Sequence, residues 1–104
     1  MTDEEMVRAF EATSLPASEF DHRAHVRVGW WYVSNYPLDQ AIARIRCRLQ
    51  AFASANGAPG KYDDETTIRY MNTIAERVRR APGLDWSGFA AGNPDLFIRP
   101  RSGT

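Results

Sequence analysis

The chain has 104 residues, 13 basic and 13 acidic side chains, a formal net charge of zero and 43% apolar residues. That length allows one hydrophobic core but not two, the apolar share excludes wholesale disorder, and the balanced charge offers no electrostatic footprint for nucleic acid. No apolar run approaches the roughly 20 residues of a membrane span, so neither nucleic acid nor membrane is an expected partner.

In chain order, Thr2 followed by Glu5 is a capping-box pattern ahead of Met6, Val7 and Phe10. It predicts a first helix near residues 3 to 13, stopped by the Ser14, Leu15, Pro16 stretch. Ser18 is the expected cap of a second helix that runs to about Asn35 and breaks at Tyr36 and Pro37. Pro37 suits the start of a third helix, along which Leu38, Ala41, Ile42, Ile45, Leu49 and Phe52 recur at helical spacing. That helix should stop at NGAPG, whose residues favour turns. Asp63 can cap a fourth helix with Ile68, Met71, Ile74 and Val78 on one side, and Arg79 and Arg80 near its end complement the helix dipole. A short helical turn around DWSGFAA follows. No strand-like alternation, repeat or low-complexity linker is present. The expected architecture is all-α, a small antiparallel bundle of four main helices in one domain over residues 1–97, with a flexible tail at 98–104.

The opening MTDEEMVRAF is acidic where a secretion signal is basic and then apolar, which predicts a cytoplasmic protein. The single cysteine, Cys47, cannot form an internal disulfide and is read as inert packing on the third helix. Twelve arginines against one lysine match the coding bias of a GC-rich bacterial genome. Arg44, Arg46 and Arg48 share no helical face, so they read as solvated charges.

Both histidines lie in FDHRAHVRVGWWY, residues 20–32. At about 100° per residue, His22, His25, Val26, Gly29 and Val33 fall on one side of the second helix, with Arg23, Arg27 and Ser34 on the solvent side. Gly29 in a helix interior costs about 1 kcal/mol relative to alanine, and such a glycine often permits close approach of a neighbour. On the fourth helix Asp64 projects inward with Ile68, Met71 and Ala75, whereas Glu65 and Arg69 can pair on the exposed side. Two inward histidines facing a carboxylate are the raw material of a metal site for iron, zinc or manganese. The competing reading is a hydrogen-bonded pair of histidines at the edge of a core or pocket, with Asp63 and Asp64 serving as cap and dipole residues.

The stretch from Phe20 onward resembles a family of small bacterial helical proteins patterned F-x-H-x-x-H-x-R-x-A-W, then K-Y-H-E-T-x-T. Phe20, His22, His25 and Arg27 match the first motif, and Lys61, Tyr62 and Thr67 match the second. GNPDLF, residues 92–97, is similar to that family's N-P-x-L-L/F segment. The family's histidine and glutamate fall on Asp63 and Asp64 here, and its alanine falls on Gly29. The resemblance covers residues 14 to 97 and implies a site joining the two motifs. A divalent metal would then be held by His22, His25 and Asp64, with Asp63 or Tyr62 as the proton-transfer group. The alternatives are a metal-free acid-base or small-molecule pocket built from His22, His25, Tyr62 and Asp64, and a dimeric interaction module. The last is suggested by Phe20, Trp30, Trp31, Tyr32 and Tyr36, more aromatic surface than one bundle helix normally buries, which a homodimer could cover.

Overall fold

A computed structural model describes residues 2–98; of the expected tail, residues 99–104 lie outside them. Every regular element among the described residues is helical. The five α-helices are α1 (Asp3–Glu11), α2 (His22–Asn35), α3 (Leu38–Ala55), α4 (Asp64–Arg80) and α5 (Trp86–Gly92). Short 3-10 turns occupy Ala17–Glu19, Pro59–Lys61 and Pro94–Phe97.

The starts of the helices follow from their side chains. The Thr2 hydroxyl accepts from the Glu5 amide at 3.1 Å while the Glu5 carboxylate accepts from the Thr2 amide at 2.9 Å, so two orphan donors are satisfied reciprocally. α1 ends two residues earlier than expected, because Thr13 takes a left-handed φ of +55° and returns its amide to the Phe10 carbonyl. The second helix corrects its predicted cap. Ser18 lies inside a 3-10 turn, and Asp21 is the cap, accepting from the Ala24 amide at 2.9 Å. The break between them falls at Phe20, whose non-helical backbone accompanies a ring packed 4.7 Å from the rings of both Phe10 and Phe52. Asp63 caps α4 as expected, with its Oδ1 3.2 Å from the Thr66 amide. The helical turn expected near residue 86 is a seven-residue helix capped by Asp85.

α2 is the central element and packs against α1, α3, α4 and the turn at Pro94–Phe97. One core cluster, with Val7, Phe10, Phe20, Tyr32, Phe52 and Met71, joins α1, α2, α3 and α4; a second, with Val26, Trp30, Ile74, Phe89 and Leu96, joins α2 and α4 to the C-terminal elements. Each such side chain contributes about 1.5–3 kcal/mol on burial.

This distribution accounts for the run of aromatics. Trp30 packs toward α5, its ring 5.6 Å from that of Trp86, while Tyr32 is fully buried and donates its hydroxyl to Glu11 at 2.6 Å. Burial, seconded by the Glu11 carboxylate, pushes the Tyr32 phenol far above its ordinary range. Trp31 and Tyr36 are partly buried against the first cluster. The aromatic surplus that suggested a dimer is therefore largely spent inside the chain, and the exposed large apolar side chains among the described residues are Leu84 and Ile98.

The basic side chains are also more engaged than expected. Arg27 pairs with Asp3 on α1 at 2.5 Å, Arg44 lies 4.2 Å from the Tyr36 ring centre, and Arg48 donates to the Glu11 carbonyl at 3.2 Å. Cys47 is exposed rather than packed. No helix among the described residues is long and apolar enough to cross a membrane.

Candidate functional site

A cleft of about 880 Å³ opens among α2, α3 and α4. Its apolar surface comes from residues at helical spacing: Val26 and Gly29 from α2, Ile45, Leu49 and Phe52 from α3, and Met71 and Ile74 from α4. Gly29 sets how closely α2 and α4 approach. A Cβ built there would meet Ile74 Cδ1 and Met71 Sδ at 3.2 Å and Ile45 Cδ1 at 3.8 Å. The expected close approach at this glycine is thus present, and the neighbours it admits line the cleft.

His22 and His25 both line the cleft but differ in their surroundings. His22, at the first position of α2, is half-buried, with Nε2 2.8 Å from the Leu96 carbonyl oxygen and its ring edge-on to Tyr70 at 5.5 Å. A carbonyl only accepts, so Nε2 carries the proton of this bond and Nδ1 is the nitrogen left for other chemistry. His25 is exposed, and its ring lies over Phe20 with centroids 4.1 Å apart. Helical projection correctly assigned the two rings to one side, but did not separate the half-buried His22 from the exposed His25.

The start of α4 divides its residues between the cleft and the outside. Tyr62 and Asp63 line the cleft; Asp64 does not. Asp63 is occupied as a cap, and the Thr66 amide holds its carboxyl below the usual carboxylate range. Asp64, expected to face inward, instead accepts from the Tyr62 hydroxyl at 2.5 Å and from Arg46 Nε at 2.7 Å, both on Oδ1. Those two bonds hold the Asp64 pKa below the usual carboxylate range, the Tyr62 hydrogen bond most, while desolvation and the same carboxylate push the pKa of the Tyr62 phenol up. The reason for the misplacement lies partly in the helix start and partly in a neighbouring helix. Asp64 is the first residue of the helix, and the long Arg46 side chain from α3 gives its carboxylate a cation outside the cleft.

This arrangement bears on metal binding. Among the described residues no three His, Cys, Asp or Glu side chains come together so as to hold an ion. Of the proposed donors, His22 keeps Nδ1 while its Nε2 bonds a backbone carbonyl, but Asp64 is committed to an arginine and a phenol outside the cleft. A divalent ion needs converging lone pairs at bonding distance, and His22, His25 and Asp64 as arranged do not supply them.

Three polar residues on the cleft were not singled out from the sequence, Asn56, Thr66 and Tyr70, and Arg69, expected to pair with Glu65 on the exposed side, makes that pair at 3.9 Å but also lines the cleft. Thr66 and Tyr70 are four apart on α4, in step with Ile74, and that spacing could have identified them. Arg46 and the Leu96 carbonyl carried no sequence signal, since their roles depend on tertiary packing. Comparison of the chain with family models, with curated proteins and with solved structures found no match.

Proposed function

We propose that the chain is a metal-free small-molecule-binding domain, an antiparallel bundle of its four longer helices that takes a ligand into the cleft among α2, α3 and α4. The observation that carries this reading is the cleft itself, about 880 Å³, with an apolar floor and a polar wall holding both histidines and Tyr62. Volumes of about 300–1,000 Å³ with apolar linings and a few polar groups are those of ligand sites. His22 and His25 supply two imidazoles as hydrogen-bonding groups on that wall. Hydrogen bonding of His22 to Leu96 fixes one ring in orientation and tautomer, a pre-arrangement useful for binding or for acid-base chemistry. The resemblance of the two motifs to the bacterial helical family supports the same pairing of α2 with the start of α4.

The test is a fragment screen by ligand-observed NMR on the wild type and on Ala53→Trp, which places a large ring on a half-buried wall position of the cleft. Fragments that bind the wild type and are lost in the folded variant support the reading. Hits that all persist in the variant, or an absence of hits, overturn it.

A further inference from the structure

The polar wall of the cleft is biased in a way that selects a class of ligand. Its titratable groups are His22, His25, Lys61, Tyr62, Asp63, Arg69 and Tyr70. Much of the negative or accepting capacity is already committed. The Asp63 carboxylate accepts from the Thr66 amide at its own helix cap. The Tyr62 oxygen donates its proton outward to Asp64, in a bond that also leaves the phenol neutral far into alkaline pH.

The cations are less committed. Arg69 pairs loosely with Glu65 on its own helix at 3.9 Å, and its charge also stabilises the Asp63 carboxylate. Lys61, exposed on the cleft from the turn at Pro59–Lys61, has no carboxylate within ion-pairing distance among the described residues, where every other ion pair goes to an arginine. The Thr66 hydroxyl sides with its own amide toward the Asp63 carboxylate, while Tyr70 turns its ring edge to His22 on the same wall. The lining therefore carries two cations, one of them without an acidic partner, and one carboxylate turned onto the backbone. Beyond this wall the floor is hydrocarbon: Val26, Ile45, Leu49, Phe52, Met71 and Ile74.

Resting on the small-molecule reading above, we infer that the ligand is an apolar monocarboxylate, its hydrocarbon body over the Gly29 floor and its head group bound by Lys61 with help from the donors of α4. An ammonium and neutral hydroxyls complement a carboxylate, because each donates and charge-assisted bonds are the stronger kind. A cationic head would meet Lys61 and Arg69 as like charges, and a neutral alcohol would leave the ammonium unpaired.

Three probes with one tail and different heads separate the possibilities: decanoate, decanol and decyltrimethylammonium, each titrated below its micelle concentration into 15N-labelled full-length protein. Amide shifts of Gly29, Thr66 and Thr67 report occupancy of the cleft. Decanoate is expected to bind about five- to tenfold more tightly than decanol, and Lys61→Ala to erase that difference while leaving decanol unchanged. Lys61→Arg, which keeps the charge, should retain most of it. Equal binding of all three probes at the cleft overturns the carboxylate inference and leaves the small-molecule reading standing. Binding unaffected by Ala53→Trp, or no cleft shifts with any tail, overturns both.

Discussion

The two halves of α4 face the same partner, α2, yet end in opposite situations. Along its C-terminal half the α2–α4 seam is covered by α5 and the turn at Pro94–Phe97, with Phe89 and Leu96 buried against Trp30 and Ile74. Arg77 pins that cover with two bonds to Asp95, at 2.9 and 3.0 Å, and one to the Asn93 side chain at 2.8 Å. Arg23 lies over the rings of Phe97 at 4.9 Å and Trp86 at 5.5 Å. Along the N-terminal half nothing comparable closes the seam, and the space among α2, α3 and α4 is the cleft. The difference arises from where the chain has length to spare. The C-terminal segment returns over one end, tied to it through the His22–Leu96 bond, whereas the short turn at Pro59–Lys61 crosses the other without filling it. The covered end keeps only a smaller cleft of about 450 Å³, bordered by Trp30, Val33, Val78 and Phe89, against about 880 Å³ at the open end.

The largest effect expected from breaking this contrast comes from Phe89→Ala at the covered end. The ring is 1% exposed, and deletion of a buried aromatic costs about 3–5 kcal/mol. Urea denaturation followed by tryptophan fluorescence measures it directly, since Trp30 and Trp86 flank the ring at 6.3 and 6.2 Å. A loss below about 1 kcal/mol would mean that α5 does not close the seam. Gly29→Ala at the open end should change much less. Alanine gains about 1 kcal/mol of helix propensity, while its Cβ meets Ile74 Cδ1 and Met71 Sδ at 3.2 Å. Both atoms end flexible side chains and can shift, so the net change should stay within about 1 kcal/mol of zero, with shifts in the cleft methyl resonances rather than at α5. A destabilisation as large as that of Phe89→Ala would show that the Gly29 contact is as rigid as the covered end.

How much of this was legible in the sequence follows the range of the forces involved. Helix periodicity and caps are local, so the apolar stripes of α3 and α4, the Thr2 capping box and the Asp63 cap could be read from neighbouring residues. Ser18 and Asp21 are both good caps, and the choice between them depended on Phe20 reaching Phe10 and Phe52, residues 10 and 32 positions away. The histidine face and the role of Gly29 were legible because one helix carries them. Asp64 was misread because projection gives direction on an isolated helix and knows nothing of Arg46, 18 residues earlier on α3. The same holds for His22, whose partner carbonyl is 74 residues away.

The ion pair that drew Asp64 out of the cleft supplies the smallest and most selective effect. Its carboxyl is held below the usual value, first by the Tyr62 hydroxyl and then by Arg46. A carboxyl with a native pKa below its unfolded value of about 4 contributes stability that is fully present above that pH. The contribution is lost as pH falls through the depressed native value. Asp64→Asn removes the charge while leaving every other carboxylate in place, so subtracting variant from wild-type stability isolates this one group. Urea titrations from neutral to acid pH should therefore give a small advantage for the wild type near neutrality that narrows below about pH 4. Because the pair is partly exposed, with Asp64 and Arg46 side chains 41% and 45% accessible, added salt should also shrink the advantage. A difference that does not vary with pH would mean that the Tyr62 hydroxyl, which an asparagine oxygen can still accept, rather than the carboxylate charge, holds the start of α4. In that case the charge on Asp64 has no part in keeping its side chain out of the cleft.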